Sequence, residues 1–408
     1  MKIVISCFLL MVSLIGSGNP LAHQVIEFKT PKTASADSMT GQISLPHGKA
    51  LDWKGDVIIV IDPMIFVNRD GWAVGSLDFS RSDWKTRGLL DESLNKENIA
   101  VVRFDNPGVY PPSMHCREKI KKNGLSKAIL KESCFDDDVV SSLTHKKYLL
   151  DIENLIFTVK ARLPLAKNRL ILMGISEGGI HIAHLINNLQ ASPKGVLMIG
   201  SPLESASLLT QWQVVDRPIE TIPLFDLNKD GIVTNEEITL AYKKGVGNFM
   251  LSVSSWLSPQ GKWDKTNIGG LKKKFANEYD VLVSQAMSVP DNKVTLYLIK
   301  TPDGVLIPQY TNAFDKLHFL DNLSTFDVLT ESKIPTLLMY GDRDKQVRID
   351  EQLKLSKMAK NQGANIQEIV FKDRFHGLSK ERDLQLFEPG FIPELSKRIS
   401  NFVKALPK

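Results

Sequence analysis

Apolar positions along this chain follow two rhythms. Continuous runs such as Asp56-Val-Ile-Ile-Val-Ile-Asp62 and Asn98-Ile-Ala-Val-Val-Arg-Phe-Asp105 suit strands buried on both faces of a parallel sheet. Leu149, Ile152, Leu155, Ile156 and Val159 instead recur at the spacing of one helix face, predicting a helix over 146–162. Ahead of these, Val25-Ile-Glu-Phe-Lys29 and Thr40-Gly-Gln-Ile-Ser-Leu45 alternate apolar with polar residues, as an antiparallel edge pair would. A helix over 82–94, a buried strand ending at Ile175, a helix carrying Ile182, Ala183, Ile186 and Leu189, and a strand over 195–200 extend a strand-helix-strand order that predicts an α/β domain.

Regular alternation stops between residues 201 and 333 and resumes with Ile334-Pro-Thr-Leu-Leu-Met-Tyr-Gly341. A gap that long inside one compact unit marks an insertion. A helix over 351–362, a strand over 365–371 and a helix over 393–406 then complete the core. The expected organisation is a core built from 23–200 and 334–408, with 201–333 as a largely helical cap.

With 408 residues, of which 43% are hydrophobic and 24% charged, the chain can bury a large core and an inserted region. The net charge of +5 is dispersed; the short clusters Lys119-Ile-Lys-Lys122 and Lys272-Lys-Lys274 read as solvated faces and do not argue for a nucleic-acid partner. Lys2, an apolar run over 3–15 and the small residues Gly16, Ser17 and Gly18 predict a signal peptide over 1–22, cut near Ala22. The run is shorter than the roughly 20 residues a bilayer-spanning helix needs. A secreted or periplasmic location without stable membrane insertion is expected. Cys7 leaves with the leader, and Cys116 and Cys134 remain in one polar segment, where an oxidising compartment would join them.

The candidate chemistry centres on Gly174-Ile175-Ser176-Glu177-Gly178, which fits the pattern G-x-S-x-G of a strained strand-to-helix turn that holds a serine hydroxyl clear of the backbone. Such a hydroxyl is too weakly acidic to attack a carbonyl unaided; it needs a base, and the base an orienting carboxylate. Taken with Asn68-Arg-Asp-Gly71, Ile99-Ala-Val-Val-Arg-Phe-Asp105, Pro107-Gly-Val109 and Gly341-Asp-Arg-Asp-Lys-Gln-Val347, this elbow resembles the α/β-hydrolase superfamily, in its secreted serine esterase or peptidase-like branch, over almost the whole chain after the leader. The resemblance implies a mostly parallel central sheet flanked by helices. It also implies Ser176 as nucleophile, Asp344 as acid and His376 as base, with Asp342, nearer the strand end, as the rival acid. Oxyanion donors would be the backbone N–H groups of Glu177 and Met64, although Asp62-Pro63 stands where the family carries His-Gly. No catalytic cofactor is implied. His181 and His184, at i and i+3, read as packed or surface residues rather than metal ligands, and His23, His47, His115, His145 and His318 suggest no role.

A second motif lies in the insertion. Residues 226–237 satisfy D-x-[DN]-x-[DN]-G-x5-E and resemble an EF-hand-type calcium loop. Side-chain oxygens of Asp226, Asn228, Asp230 and Glu237, the Ile232 carbonyl, and Thr234 directly or through water would ligate the ion. Pro218 and Pro223 disfavour a regular entering helix, so a single structural calcium site is expected. Trp212, Trp256, Trp263, Phe249 and Leu251 would pack the cap. The expected protein is a secreted hydrolase of a small ester or peptide-like substrate, with thioester or amide as further acyl groups; the alternative is a non-catalytic, calcium-stabilised binding protein on the same fold.

Overall fold

The computed structural model describes residues 24–407 except 34–35, 47–52, 63–67, 71–85, 111–113, 164–169, 190–191, 245, 247–252, 291–294, 301–305, 312–313, 315 and 381–387. The expected leader over 1–22, the expected second oxyanion donor Met64, and the expected cap residues Phe249 and Leu251 fall outside these residues.

In chain order the strands are β1 (Gln24–Lys29), β2 (Thr40–Leu45), β3 (Asp56–Ile61), β4 (Ile99–Phe104), β5 (Leu170–Ile175) and β6 (Gly195–Ile199). Four strands follow in the insertion: β7 (Val233–Thr234), β8 (Lys262–Trp263), β9 (Thr295–Lys300) and β10 (Leu306–Thr311). The last are β11 (Thr336–Gly341) and β12 (Ile366–Phe371). Eight of them form one sheet in the order β1-β2-β4-β3-β5-β6-β11-β12. β1 and β2 are antiparallel to each other, and β2 is antiparallel to β4; every other pairing is parallel. This is the α/β-hydrolase arrangement.

The continuous apolar runs divide their side chains between two layers. Val57, Ile59 and Ile61 of β3 pack into one core with the helices His145–Arg162 and Gly178–Leu189, while Ile58 and Val60 point into the other. That second layer holds Leu90 and Leu94 of the helix Thr86–Lys96, and Leu395, Ile399 and Phe402 of the C-terminal helix Ile392–Ala405. Side chains alternating across a sheet covered on both faces leave no polar side to these strands. β5 therefore ends in the middle of the sheet, and Ser176 follows it.

The pieces that carried the resemblance are joined in space. Asp105, just after β4, accepts hydrogen bonds from the backbone N–H of Arg69 at 3.0 Å and from its guanidinium at 2.9 and 2.6 Å. Arg69 also pairs with Glu27. Burial opposes the Arg69 charge, but the two carboxylates outweigh it and hold the guanidinium above its ordinary value. Asp62, just after β3, pairs with Arg87 of the helix Thr86–Lys96 and so ties the strand end to that helix. After β4, Cys116 and Cys134 form a disulfide with Cα atoms 4.9 Å apart, joining the helix Met114–Asn123 to the end of Lys127–Ser133.

Between β6 and β11 the chain is mostly helical and has its own apolar cluster: Ile222, Phe225, Ile238, Trp256, Trp263, Leu271 and Phe275 are buried together. Trp256 and Trp263 are core residues of this segment, with Trp263 Nε1 donating to the Trp256 carbonyl at 2.6 Å. Two antiparallel strand pairs, β7 with β8 and the hairpin β9 with β10, interrupt the helices. β9 and β10 were not anticipated from the sequence, although Thr301-Pro-Asp-Gly-Val305 between them has turn composition. β11 then pairs directly with β6 in parallel, Thr336 opposite Val196, so the insertion leaves at the carboxyl end of β6 and the chain returns at the amino end of its neighbour.

Candidate active site

Ser176 has φ of +55°, the left-handed conformation that costs a non-glycine residue free energy. It is held there because the chain turns directly from β5 into the helix Gly178–Leu189. The turn tolerates no side chain at either flank: a Cβ on Gly178 would lie 2.2 Å from the Ile61 carbonyl oxygen, and one on Gly174 would lie 2.6 Å from Gly178 C. The Ser176 N–H donates to the Ile199 carbonyl at 2.8 Å, which fixes the turn against β6.

His376 follows β12 and is buried. Its Nε2 lies 2.8 Å from Ser176 Oγ, and its Nδ1 lies 2.9 Å from Asp344 Oδ2. Asp344 is also buried, and its other oxygen accepts the N–H groups of Gln346 at 2.7 Å and Val347 at 3.1 Å. The insertion grips the same turn. Gln213 Nε2 donates to the Gln346 carbonyl at 2.8 Å, and Arg217 Nη1 donates to the Lys345 carbonyl at 3.2 Å and to Gln346 Oε1 at 3.0 Å. The rival acid Asp342 is exposed and accepts the N–H of Arg374 at 3.3 Å. Gly341 lets this second loop close over the strand end, since a Cβ there would lie 2.2 Å from the Arg374 carbonyl oxygen.

The Ser176 carbonyl accepts from the Gly179 N–H at 3.0 Å, and that of Glu177 from the Ile180 N–H at 2.8 Å. The Glu177 N–H has no hydrogen-bond partner among the described residues. Its side chain is in a setting the sequence did not announce. His318, on the helix Lys316–Leu320 of the insertion, places Nε2 2.9 Å from Glu177 Oε2, and His181 places Nε2 3.3 Å from Oε1. His181 Nδ1 lies 3.2 Å from His145 Nε2, and His184 Nε2 lies 3.1 Å from Asp321 Oδ1. The contacts from His181 Nε2 and His184 Nε2 lack hydrogen-bond alignment, so they are close approaches rather than directed bonds. Phe314 and Tyr148 pack edge-on against the imidazoles.

Burial disfavours ionised Glu177, but the nearby His318 with its hydrogen bond, and His181 close to the other oxygen, prevail and hold the carboxyl well below the usual range. Burial and the neighbouring charges of His181 and His184 push His145 down to about 2, which keeps it neutral. His145, His181, His184 and His318, given no role from the sequence, thus collect around the residue that follows Ser176. The spacing of Glu177 and His181, four apart across a helix start, was a readable signal. Nothing in the sequence tied His318 to them.

Residues 284–388 match the prolyl oligopeptidase family, Peptidase S9. The matched segment is about a quarter of the 408-residue chain; it includes Asp344 and His376 and leaves out Ser176. No curated protein matches the chain in sequence. Among solved structures, Est1E from Butyrivibrio proteoclasticus is similar at 11% identity, covering 93% of this chain and 97% of that one with a TM-score of 0.46. The Pyrococcus horikoshii acylaminoacyl peptidase is similar at 13% identity over 95% of this chain and 42% of that one, TM-score 0.46. Proline iminopeptidase from Mycobacterium smegmatis is similar at 12% identity over 94% and 100%, TM-score 0.47.

The loop over 226–237 follows a broken lead-in, the short helix Arg217–Thr221 and the 3-10 turn Ile222–Phe225, and runs into the helix Asn235–Lys243. Gly231, at φ +81°, donates its N–H to Asp226 Oδ2 at 2.9 Å. The Asp230 N–H donates to Asn228 Oδ1 at 2.9 Å, and Thr234 and Glu237 form a reciprocal capping box. The Asp226 Oδ1 atom is buried without a hydrogen-bond partner. Among the described residues no three His, Cys, Asp or Glu side chains converge as a ready metal cage. The loop nevertheless supplies hard oxygen donors and one orphaned carboxylate oxygen, which fit a calcium ion.

Proposed function

We propose that this protein is an exported serine hydrolase that cleaves a carboxylic ester, with calcium as a structural ion in its cap. The observation that carries the reading is the continuous contact from Ser176 Oγ to His376 Nε2, 2.8 Å, and from His376 Nδ1 to Asp344 Oδ2, 2.9 Å. His376 Nε2 takes the Ser176 proton as Oγ attacks the substrate carbonyl, and the buried Asp344 carboxylate keeps Nδ1 protonated and stabilises the imidazolium that forms. The Glu177 N–H, with that of Met64 as second donor, receives the oxyanion. His376 returns the proton to the leaving alcohol, and water activated by the same imidazole hydrolyses the acyl-enzyme.

Asp226, Asn228, Asp230, Ile232, Thr234 and Glu237 would hold the calcium ion, whose contribution is to order the cap. The leader over 1–22 supports a secreted or periplasmic site of action, where the Cys116–Cys134 bridge persists. A small ester is the first substrate class; the peptidase-family match over 284–388 motivates peptide and aminoacyl amides as the second.

The decisive experiment is labelling with a fluorophosphonate probe, followed by turnover of short aryl esters and of aminoacyl anilides. Labelling of the wild type and its loss in a folded Ser176→Ala variant are expected. A folded wild type that neither labels nor turns over either substrate would replace the enzyme by the calcium-stabilised binding protein.

A further inference from the structure

The Glu177 carboxylate is an unusual group to find beside a nucleophile whose reaction develops negative charge. Its own backbone N–H is the expected donor to that charge, yet its side chain carries an anion one residue from Ser176. An anion so placed in a poorly solvated site opposes the oxyanion electrostatically. Among the described residues, the groups facing it are imidazoles or neutral. From the nucleophile helix come His181 and, one turn on, His184; from the helix His145–Arg162 come His145 and Tyr148; from the insertion comes His318, with Asp321 turned to His184 instead. His145 is held neutral. His318 makes the shortest contact with the carboxylate, 2.9 Å, and its side chain remains 32% exposed, so it can exchange protons with solvent.

We propose that His318 is a positioning residue for acyl transfer: its imidazolium holds and neutralises the Glu177 carboxylate, so that the oxyanion donor on the same residue acts without an uncompensated anion beside it. The inference rests on the serine-hydrolase reading and deepens it, because it makes the returning segment of the insertion part of the reaction's electrostatics. A residue that merely glued cap to core would matter for folding, and its loss would not be repaired by removing the Glu177 charge.

The test is the second-order rate of Ser176 phosphonylation by the fluorophosphonate in the full chain, with thermal melting as a check on folding. His318→Leu is expected to slow labelling at least tenfold. The double variant Glu177→Gln/His318→Leu is expected to recover most of that loss, because no anion is left to neutralise. His318→Gln, which keeps a donor but no charge, serves if the leucine variant does not fold: the ratio of wild-type to variant rate should fall as pH rises from about 6 to about 9 and the wild-type imidazolium loses its proton. An unchanged rate in His318→Leu, a double variant as slow as the single one, or a pH-independent ratio for His318→Gln would overturn the inference while leaving the hydrolase reading intact. A folded wild type that is not labelled at all overturns both.

Discussion

A Cβ added to Gly200 would lie 3.2 Å from both Cε1 and Nδ1 of His376. Gly200 also has φ of +58°, where an L side chain is strained. Gly200→Ala should therefore cost about 1–2 kcal/mol of stability and push the imidazole off its line between Ser176 and Asp344. A loss of roughly tenfold or more in kcat/KM is expected, measured with an aryl ester on protein shown by melting to be folded. Wild-type turnover in this variant would mean that the ring has room the structure does not show.

The two aspartates after β11 should separate sharply. Asp344→Asn removes the partner that keeps His376 in the productive tautomer, and a fall in kcat on the order of 10⁴ is expected. Asp342, exposed and with its carboxylate accepting only the Arg374 N–H among the described residues, should tolerate Asn with less than about a threefold change. Comparable losses in both variants would undo the assignment of the acid.

Asp151 provides a pH test of stability. It is fully buried against Asp37 and accepts the Asp37 N–H at 2.6 Å; burial raises its pKa to about 7 from an ordinary 3.8, with the Asp37 charge adding to the rise against the backbone bond and Lys147. The folded state therefore binds the proton more tightly than the unfolded one. No penalty exists below about pH 4; it grows as pH rises and is complete above about 7. Asp151→Asn should melt several degrees above wild type at pH 8 and nearly with it at pH 4. A wild type equally stable at both values relative to the variant would remove the buried-acid argument.

Closing an 18-residue separation, the Cys116–Cys134 bridge should contribute about 3 kcal/mol on the chain-entropy estimate. Cys116→Ser, or reduction of the wild type, should lower the melting temperature by several degrees, read by scanning calorimetry. The triad lies on other elements, so Ser176 should still label.

Calcium should raise the melting temperature of the intact protein saturably, and chelator should reverse it. Glu237→Gln keeps an acceptor for the capping box with Thr234 but weakens the bidentate ligand, and should abolish most of the shift. An equal shift in the variant would place any calcium elsewhere.

Much of the core was legible because its signal is local. Val57 to Ile61 can serve only a strand covered on both faces, and Gly174 and Gly178 can be nothing larger in so tight a turn. Alternation that stopped at Ser201 and resumed at Ile334 marked an insertion, but which strand β11 would join was not written in it. What stayed hidden was set by distant contact. His318 reaches Glu177 across 141 positions, and Gln213 and Arg217 reach the acid turn across 133 and about as many; no periodicity records such meetings. The β9–β10 hairpin was missed for another reason: Thr295-Leu-Tyr-Leu-Ile-Lys300 lay inside a segment already assigned to helices.

The pairing of β6 with β11 has a consequence for how activity begins. Ser176 is synthesised before the insertion, Asp344 and His376 after it. On the proposed mechanism a nascent chain would carry a nucleophile with neither base nor acid, and would become chemically competent only when the final strands have found their place in the sheet. Chain order thus acts as a timer, keeping the serine inert until the molecule is whole.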